Sequence, residues 1–124
     1  MIQDFNLIKE KLVNLKERDK TIETLIVVSK DGLPISSTLE TEDEEKLAAL
    51  SASLIMLGER AIEDFNKGEF EEILAKGKNG YIAIYNLEQG MALVATLNNE
   101  AKLGLIRLEL KSLVKDLNQL IQGY

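Results

Sequence analysis

The sequence predicts an α+β domain in the element order α-β-β-α-β-β-β-α. Three observations carry that prediction. Apolar residues recur at helical spacing near both ends and in the middle, β-branched runs lie between them, and one Asp-Gly turn joins two of those runs. Strands joined by short turns favour an antiparallel sheet with helices layered on its faces.

The first helix is expected over roughly residues 2–18, where Phe5, Ile8, Leu12 and Leu15 make one stripe and Lys9, Glu10, Lys11 and Lys16 fall largely elsewhere. Residues 21–29 read T-I-E-T-L-I-V-V-S. Ile22, Thr24, Ile26 and Val28 alternate with Leu25 and Val27, so this strand is apolar on both faces and belongs inside a covered sheet. Lys30-Asp31-Gly32-Leu33-Pro34 is a turn, with Gly32 free to take positive φ. Pro34 confines the return strand, Ile35 to Leu39, to an edge.

Thr41 and Glu44 have the spacing of a capping box. The acids Glu40, Glu42, Asp43, Glu44 and Glu45 suit the positive end of the helix that follows. That run lacks the spaced oxygen ligands and mid-loop glycine of a calcium loop, so it reads as helix initiation and no metal is expected. The helix should stop at Asn66-Lys67-Gly68. Residues 69–77 are weakly patterned and marked by Lys and Glu, as an edge strand would be. Gly80 to Tyr85 and Met91 to Leu97 are strands. Either Asn98 or Asn99 can cap a last helix striped by Leu103, Ile106, Leu110, Leu113, Leu117 and Leu120 and ending at Gly123.

The middle helix carries more apolar surface than one stripe. Leu47, Leu50, Leu54, Leu57, Ala61 and Phe65 form the stripe expected to face the sheet. Ala48, Ala52, Ile55 and Ile62, flanked by Ala49 and Met56, form a second strip about 100–120° away, and Ser53, Arg60 and Asp64 mark the polar sector. Either another helix of the same chain covers that second strip, or a second molecule does. Its alanines would let an identical helix approach closely in an isologous pair. Ala48, Ala49, Ala52, Ile55 and Met56 are therefore candidate dimer-interface residues. Ile73 and Ala75 join them if the edge segment pairs with its own copy.

Composition narrows the chemistry. The 124 residues contain no His and no Cys, which removes imidazole bases, thiolate nucleophiles, disulfides and the usual zinc sites. A net charge of −6 lacks the basic footprint of a nucleic-acid binder. No apolar run reaches the ~18 residues of a membrane span and no signal peptide opens the chain, so the expectation is one cytoplasmic domain over residues 1–124 with no cofactor. Glu71-Glu72 and Glu88 are the nearest approach to paired acids, and paired acids are common on solvated surfaces. Gly77-Lys78-Asn79-Gly80 lacks phosphate-loop spacing. Tyr81 and Tyr85, on one face of one strand, are the candidates for a small-molecule sensor.

The hairpin Lys30-Asp31-Gly32-Leu33-Pro34-Ile35, the Ala-rich helix Leu47 to Leu54 continued by Leu57-Gly58-Glu59-Arg60-Ala61, the strand Gly80 to Tyr85, and Leu103 to Leu110 occur in an order that resembles the Roadblock/dynein-light-chain domain family, in its prokaryotic MglB-like branch. The resemblance implies a five-stranded antiparallel, profilin-like sheet with the middle helix on one face and the terminal helices on the other. It also implies a homodimer, or a heterodimer with a related Roadblock chain, built from the middle helix and the following strand. The implied role is non-catalytic: a regulator or scaffold that binds a small Ras-like GTPase and biases its nucleotide state. Ser53 and Arg60 are the candidate GTPase contacts. An inserted arginine can accelerate GTP hydrolysis, but the ordinary reading of Arg60 is pairing with Glu59, Glu63 or Asp64, and the resemblance implies action through the GTPase's own switch regions.

Overall fold

The computed structural model describes residues 5–39 and 41–122. Its elements are α1 (Phe5–Arg18), β1 (Ile22–Ser29), β2 (Pro34–Ser37), α2 (Asp43–Asp64), β3 (Glu72–Gly77), β4 (Gly80–Asn86), β5 (Met91–Asn98) and α3 (Leu103–Gln122). Every strand pairs antiparallel, in the order β2-β1-β5-β4-β3. The expected α+β architecture is therefore observed, with β2 and β3 as the edges. Residues 2–4 of the predicted first helix, Glu40 of the acidic run and Gly123 at the predicted stop lie outside the described residues.

The sheet separates two cores because alternate side chains of a strand point to opposite faces. On one face α1 contributes Ile8, Leu12 and Leu15, and α3 contributes Ile106, Leu110, Leu113, Leu117 and Ile121. These pack on Leu25, Val27, Leu93, Ala95 and Leu97. On the other, α2 contributes Ala48 and Ile55 above Ile26, Val28, Ile84, Ala92 and Val94, with Phe70 closing the end. Burying a leucine or isoleucine fully contributes roughly 1.5–3 kcal/mol, so the terminal-helix face holds most of the apolar stabilisation.

Several local expectations are corrected. Phe5 is exposed and does not extend the α1 stripe, which starts at Ile8. Ile22 joins the terminal-helix core rather than the side of Ile26 and Val28, because the β1–β5 register shifts between Ile22 and Thr24. One extra residue in a strand reverses the facing of what lies beyond it. The capping box does not form. Glu42 stands at the N-cap in helical conformation without a side-chain cap, and the Thr41 hydroxyl accepts from the Asp43 N–H at 3.3 Å. Asn98 does not cap α3 either: its side chain accepts from the Glu100 N–H at 2.9 Å in a local turn, and the helix begins at Leu103.

The end of α2 follows expectation. Asn66 takes φ +58° and the Lys67 N–H donates to the Ile62 carbonyl at 2.9 Å, the six-to-one bond of a left-handed helix stop.

Candidate functional site

The face that α2 turns to the sheet is the one with small side chains. Ala48, Ser51 and Ile55 are buried, and Leu47, Gly58 and Ile62 are partly so. The stripe expected there is instead largely outside: Leu50 is 56% exposed, Leu57 63% and Phe65 75%, with Leu54 and Ala61 also exposed. The reason is steric. Small residues let a helix axis settle close to a sheet, and a Cβ on Gly58 would lie 2.6 Å from Cδ1 of Ile73. The limit is local to Gly58, since Leu47, Ile55 and Ile62 pack into the same core on this side of the helix.

Gly58 also fixes which flank of α2 faces β3. At 100° per residue, Leu50, Leu54, Leu57, Ala61 and Phe65 all fall within about 100° of it. The exposed stripe therefore borders the β3 edge, where Ile73 is half-buried and Ala75 exposed on the same side of the sheet. Beyond β3 no further described strand pairs. A run of large apolar side chains beside an open strand edge is a surface that water covers poorly.

The residues singled out from sequence divide three ways. Ala48 and Ile55, at 0% and 1% exposure, lie inside the chain's own core and cannot form part of an outer surface. Ile73 and Ala75 stand at the β3 edge. Ala49, Ala52, Ser53, Met56 and Arg60 lie on the opposite flank of α2, along a groove of about 570 Å³ against the β1–β2 turn. Gly32, at φ +95°, brings that turn onto the helix, and a Cβ there would meet Ala49 and Ala52 at 3.6 Å. Lys30 Nζ donates to Glu59 at 2.9 Å and pins the turn from below, 6.0 Å from the Phe70 ring centre. Ser53 donates within the helix to the Ala49 carbonyl at 3.4 Å. Arg60 sits 3.7 Å from Asp64, the ordinary pairing expected for it.

A second polar cluster joins α3 to β3. Arg107 Nε and Nη2 donate to the two carboxylate oxygens of Glu72 at 2.9 and 2.7 Å, and the Tyr85 hydroxyl donates to the same carboxylate at 2.6 Å. The Arg107 hydrogen bonds hold the Glu72 carboxyl below its usual range, while burial and then the Glu72 carboxylate push the Tyr85 phenol above its own. Glu72 is thus a fixed anion, unsuited to general-acid work. Tyr85 is buried against the α1/α3 core, and Tyr81 lies half-buried with Lys76 over its ring at 5.9 Å. Tyr85 also lines a groove of about 630 Å³ between α3 and the β3–β4 side of the sheet, and Tyr81 lines a shallower one of about 550 Å³ at the β3–β4 turn. Among the described residues no cluster of three or more carboxylates is placed to hold a metal ion.

Residues 8–97 match the family model of the Roadblock/LC7 domain. The chain belongs to that family. Its fold superposes on Myxococcus xanthus MglB with a TM-score of 0.89 at 22% identity, covering 99% of this chain and 93% of that one. An MglB with a tetrameric arrangement gives 0.86 at 15% identity, over 96% and 90%. An uncharacterised protein of Methanocaldococcus jannaschii is 35% identical over 83 residues, 67% of this chain and 61% of that protein, so the match spans less than two thirds of the relative's length. The Roadblock arrangement, with the middle helix alone on one sheet face, is the arrangement found here. What the sequence did not reveal is which of two apolar strips on α2 points inward. The one usable signal was side-chain size: the strip of Ala48, Ser51, Ile55 and Gly58 is the smaller.

Proposed function

We propose that this Roadblock protein is a non-catalytic cytoplasmic regulator or scaffold that self-associates through α2 and β3, and that the paired α2 helices bind a small Ras-like GTPase. The observation that carries the reading is the exposed stripe Leu50, Leu54, Leu57, Ala61 and Phe65 beside the open β3 edge. Two copies related by a twofold axis would bury both stripes against each other and let Ile73 and Ala75 approach their counterparts. The stripe runs for about four turns, enough for a standard interface of roughly 800 Å² per partner. A related Roadblock chain could occupy the second position by the same chemistry.

In this arrangement five of the predicted dimer-interface residues leave it, Ala48 and Ile55 for the core and Ala49, Ala52 and Met56 for the other flank, and the leucines replace them. The other flank, with Ala49, Ala52, Ser53, Met56 and Arg60, stays accessible beside the turn and is assigned to the GTPase. Regulation then needs only differential binding. If the dimer prefers one nucleotide state of its partner by a given factor, it shifts the partner's nucleotide equilibrium by that same factor.

Light scattering on the eluting protein should give twice the 13.9 kDa chain mass. Leu57→Glu should give a monomer with an unchanged helical CD spectrum. A wild-type monomer at high micromolar concentration overturns the self-association. Titration against GDP- and GTP-loaded small GTPases of the source organism should show one preferred state, weakened by Met56→Glu. A dimer that binds none of them is a scaffold subunit only.

A further inference from the structure

Two charges bound the exposed stripe of α2. Lys46 and Asp64 are 18 residues apart, which at about 3.6 residues per turn is five whole turns. They stand on one line of the helix, opposite in sign, one near each end. That line runs about 20° from Leu57, along the rim of the stripe that is turned away from the sheet. Both side chains are exposed. Lys46 makes no ion pair with a described residue, and Asp64 lies 3.7 Å from an equally exposed Arg60 one turn away. The apolar residues between the two charges define a midpoint. A twofold axis between Leu54 and Leu57 sets them against Leu57 and Leu54 of a second, antiparallel helix, and sets Leu50 against the small Ala61. The same axis brings Lys46 to within ~1.5 Å, along the helix, of the level of Asp64 in the second copy, and symmetry repeats the match at the other end. Gly58, packed closely on Ile73, lies within one turn of the midpoint, so this axis also runs by the β3 edge. A parallel pair would instead set Lys46 against Lys46 and Asp64 against Asp64.

We propose that α2 selects a second copy of this chain. Lys46 of one copy pairs with Asp64 of the other at both ends of an antiparallel helix pair, and these two contacts fix the register and favour the identical chain over a related one. The inference rests on the self-association through α2 and β3 proposed above. To it is added what the partner must carry: a base and an acid five turns apart on the rim of its own stripe. The leucines supply affinity that other apolar helices share, because burial of apolar surface is non-directional. The rim charges supply the discrimination. A partner with a like charge at either level places repelling groups beside the apolar seam, and such repulsion is what separates right from wrong partners of similar apolar shape. The Arg60 contact does not compete strongly for Asp64, since an exposed pair within one helix contributes little.

The test is dimer dissociation of the full chain, measured by sedimentation equilibrium. Each rim contact is worth up to about fivefold, so Lys46→Glu, which makes both contacts repulsive, should weaken the dimer roughly 10-fold or more. Asp64→Lys should do the same. Lys115→Glu, an equal change of net charge on α3 across the sheet, should leave the dimer within about twofold of wild type. Lys46→Glu and Asp64→Lys in one chain should restore the wild-type affinity. Chains carrying only Lys46→Glu, mixed with chains carrying only Asp64→Lys, should pair with each other in preference to themselves, and that preference should fade at about 1 M salt. CD spectra should confirm that every variant is folded. Single reversals that bind like wild type overturn the proposal. So does a double reversal as weak as the singles, or random assortment in the mixture. Leu57→Glu separates this inference from the reading beneath it. A wild-type monomer at high micromolar concentration, or a dimer that Leu57→Glu leaves intact, removes the α2 interface and the proposal with it. A dimer that Leu57→Glu breaks and the rim reversals do not touch removes only the register and the selectivity.

Discussion

The two faces of the sheet use amphipathic helices differently. On one, α1 and α3 turn eight large aliphatic side chains inward, from Ile8 to Ile121, and close a continuous core over β1 and β5. On the other, α2 places Ala48, Ser51 and Ile55 against the strands and leaves Leu50, Leu54 and Leu57 outside. A helix with company on its face can bury its largest residues in the space between neighbours. A helix alone on a sheet settles by its smallest ones, and what remains exposed becomes available to another molecule.

Truncation tests that contrast most directly. Leu110→Ala, at 0% exposure between α3 and the sheet, should cost about 2–5 kcal/mol in denaturant unfolding of the isolated chain. Leu57→Ala should cost under about 0.5 kcal/mol in the same measurement on a monomeric background. Equal losses would mean that α2 packs like α3, and the contrast would be gone.

A smaller effect sharpens the account of the α2 contact. Ser51 is buried to 1% exposure, and its hydroxyl has no hydrogen-bond partner. Ser51→Ala keeps the close approach, removes the unmet hydroxyl and improves helix propensity. Thermal or urea unfolding should show a gain of about 1 kcal/mol. A loss instead would show that the hydroxyl is bonded in solution.

The smallest effect lies where α3 is tied to the β3 edge on its own face of the sheet, at Glu72, Tyr85 and Arg107. The Glu72 pKa is lowered in the folded state, so its contribution is present above the unfolded value of 4.5 and fades as pH falls below it. Tyr85 has the opposite sign for its class. Its phenol is raised above 10, so the folded state loses stability once pH climbs past that value. Unfolding curves of Glu72→Gln, measured from pH 3 to 7, should show a shallower acid dependence than wild type. An unchanged slope would remove Glu72 as the source.

The residues that were legible from sequence share one property: their neighbours along the chain determine them. Alternation over Ile22 to Val28 marked a strand buried on both faces, and the apolar run Met91 to Leu97 marked another strand. Ile106, Leu110, Leu113 and Leu117 marked the α3 stripe, and Gly32 marked the tight turn. The candidate site was half legible. Excess apolar surface on α2 was visible as a second strip, yet periodicity cannot say which strip meets the sheet, so Ala48 and Ile55 were placed outside and Leu50, Leu54 and Leu57 inside. Hydrophobicity ranks leucine above alanine for burial, whereas the fit of a lone helix to a sheet ranks it below.

The sequence by itself determined the element order, the antiparallel sheet, and the absence of thiol, imidazole and zinc-finger chemistry, because composition and local periodicity suffice for each. Only the tertiary structure decided which side of α2 is buried, that the bulge at the start of β1 moves Ile22 to the other core, and that Arg107 reaches Glu72 across 35 positions. Those outcomes depend on distances between residues far apart in the chain, which packing sets and local pattern does not.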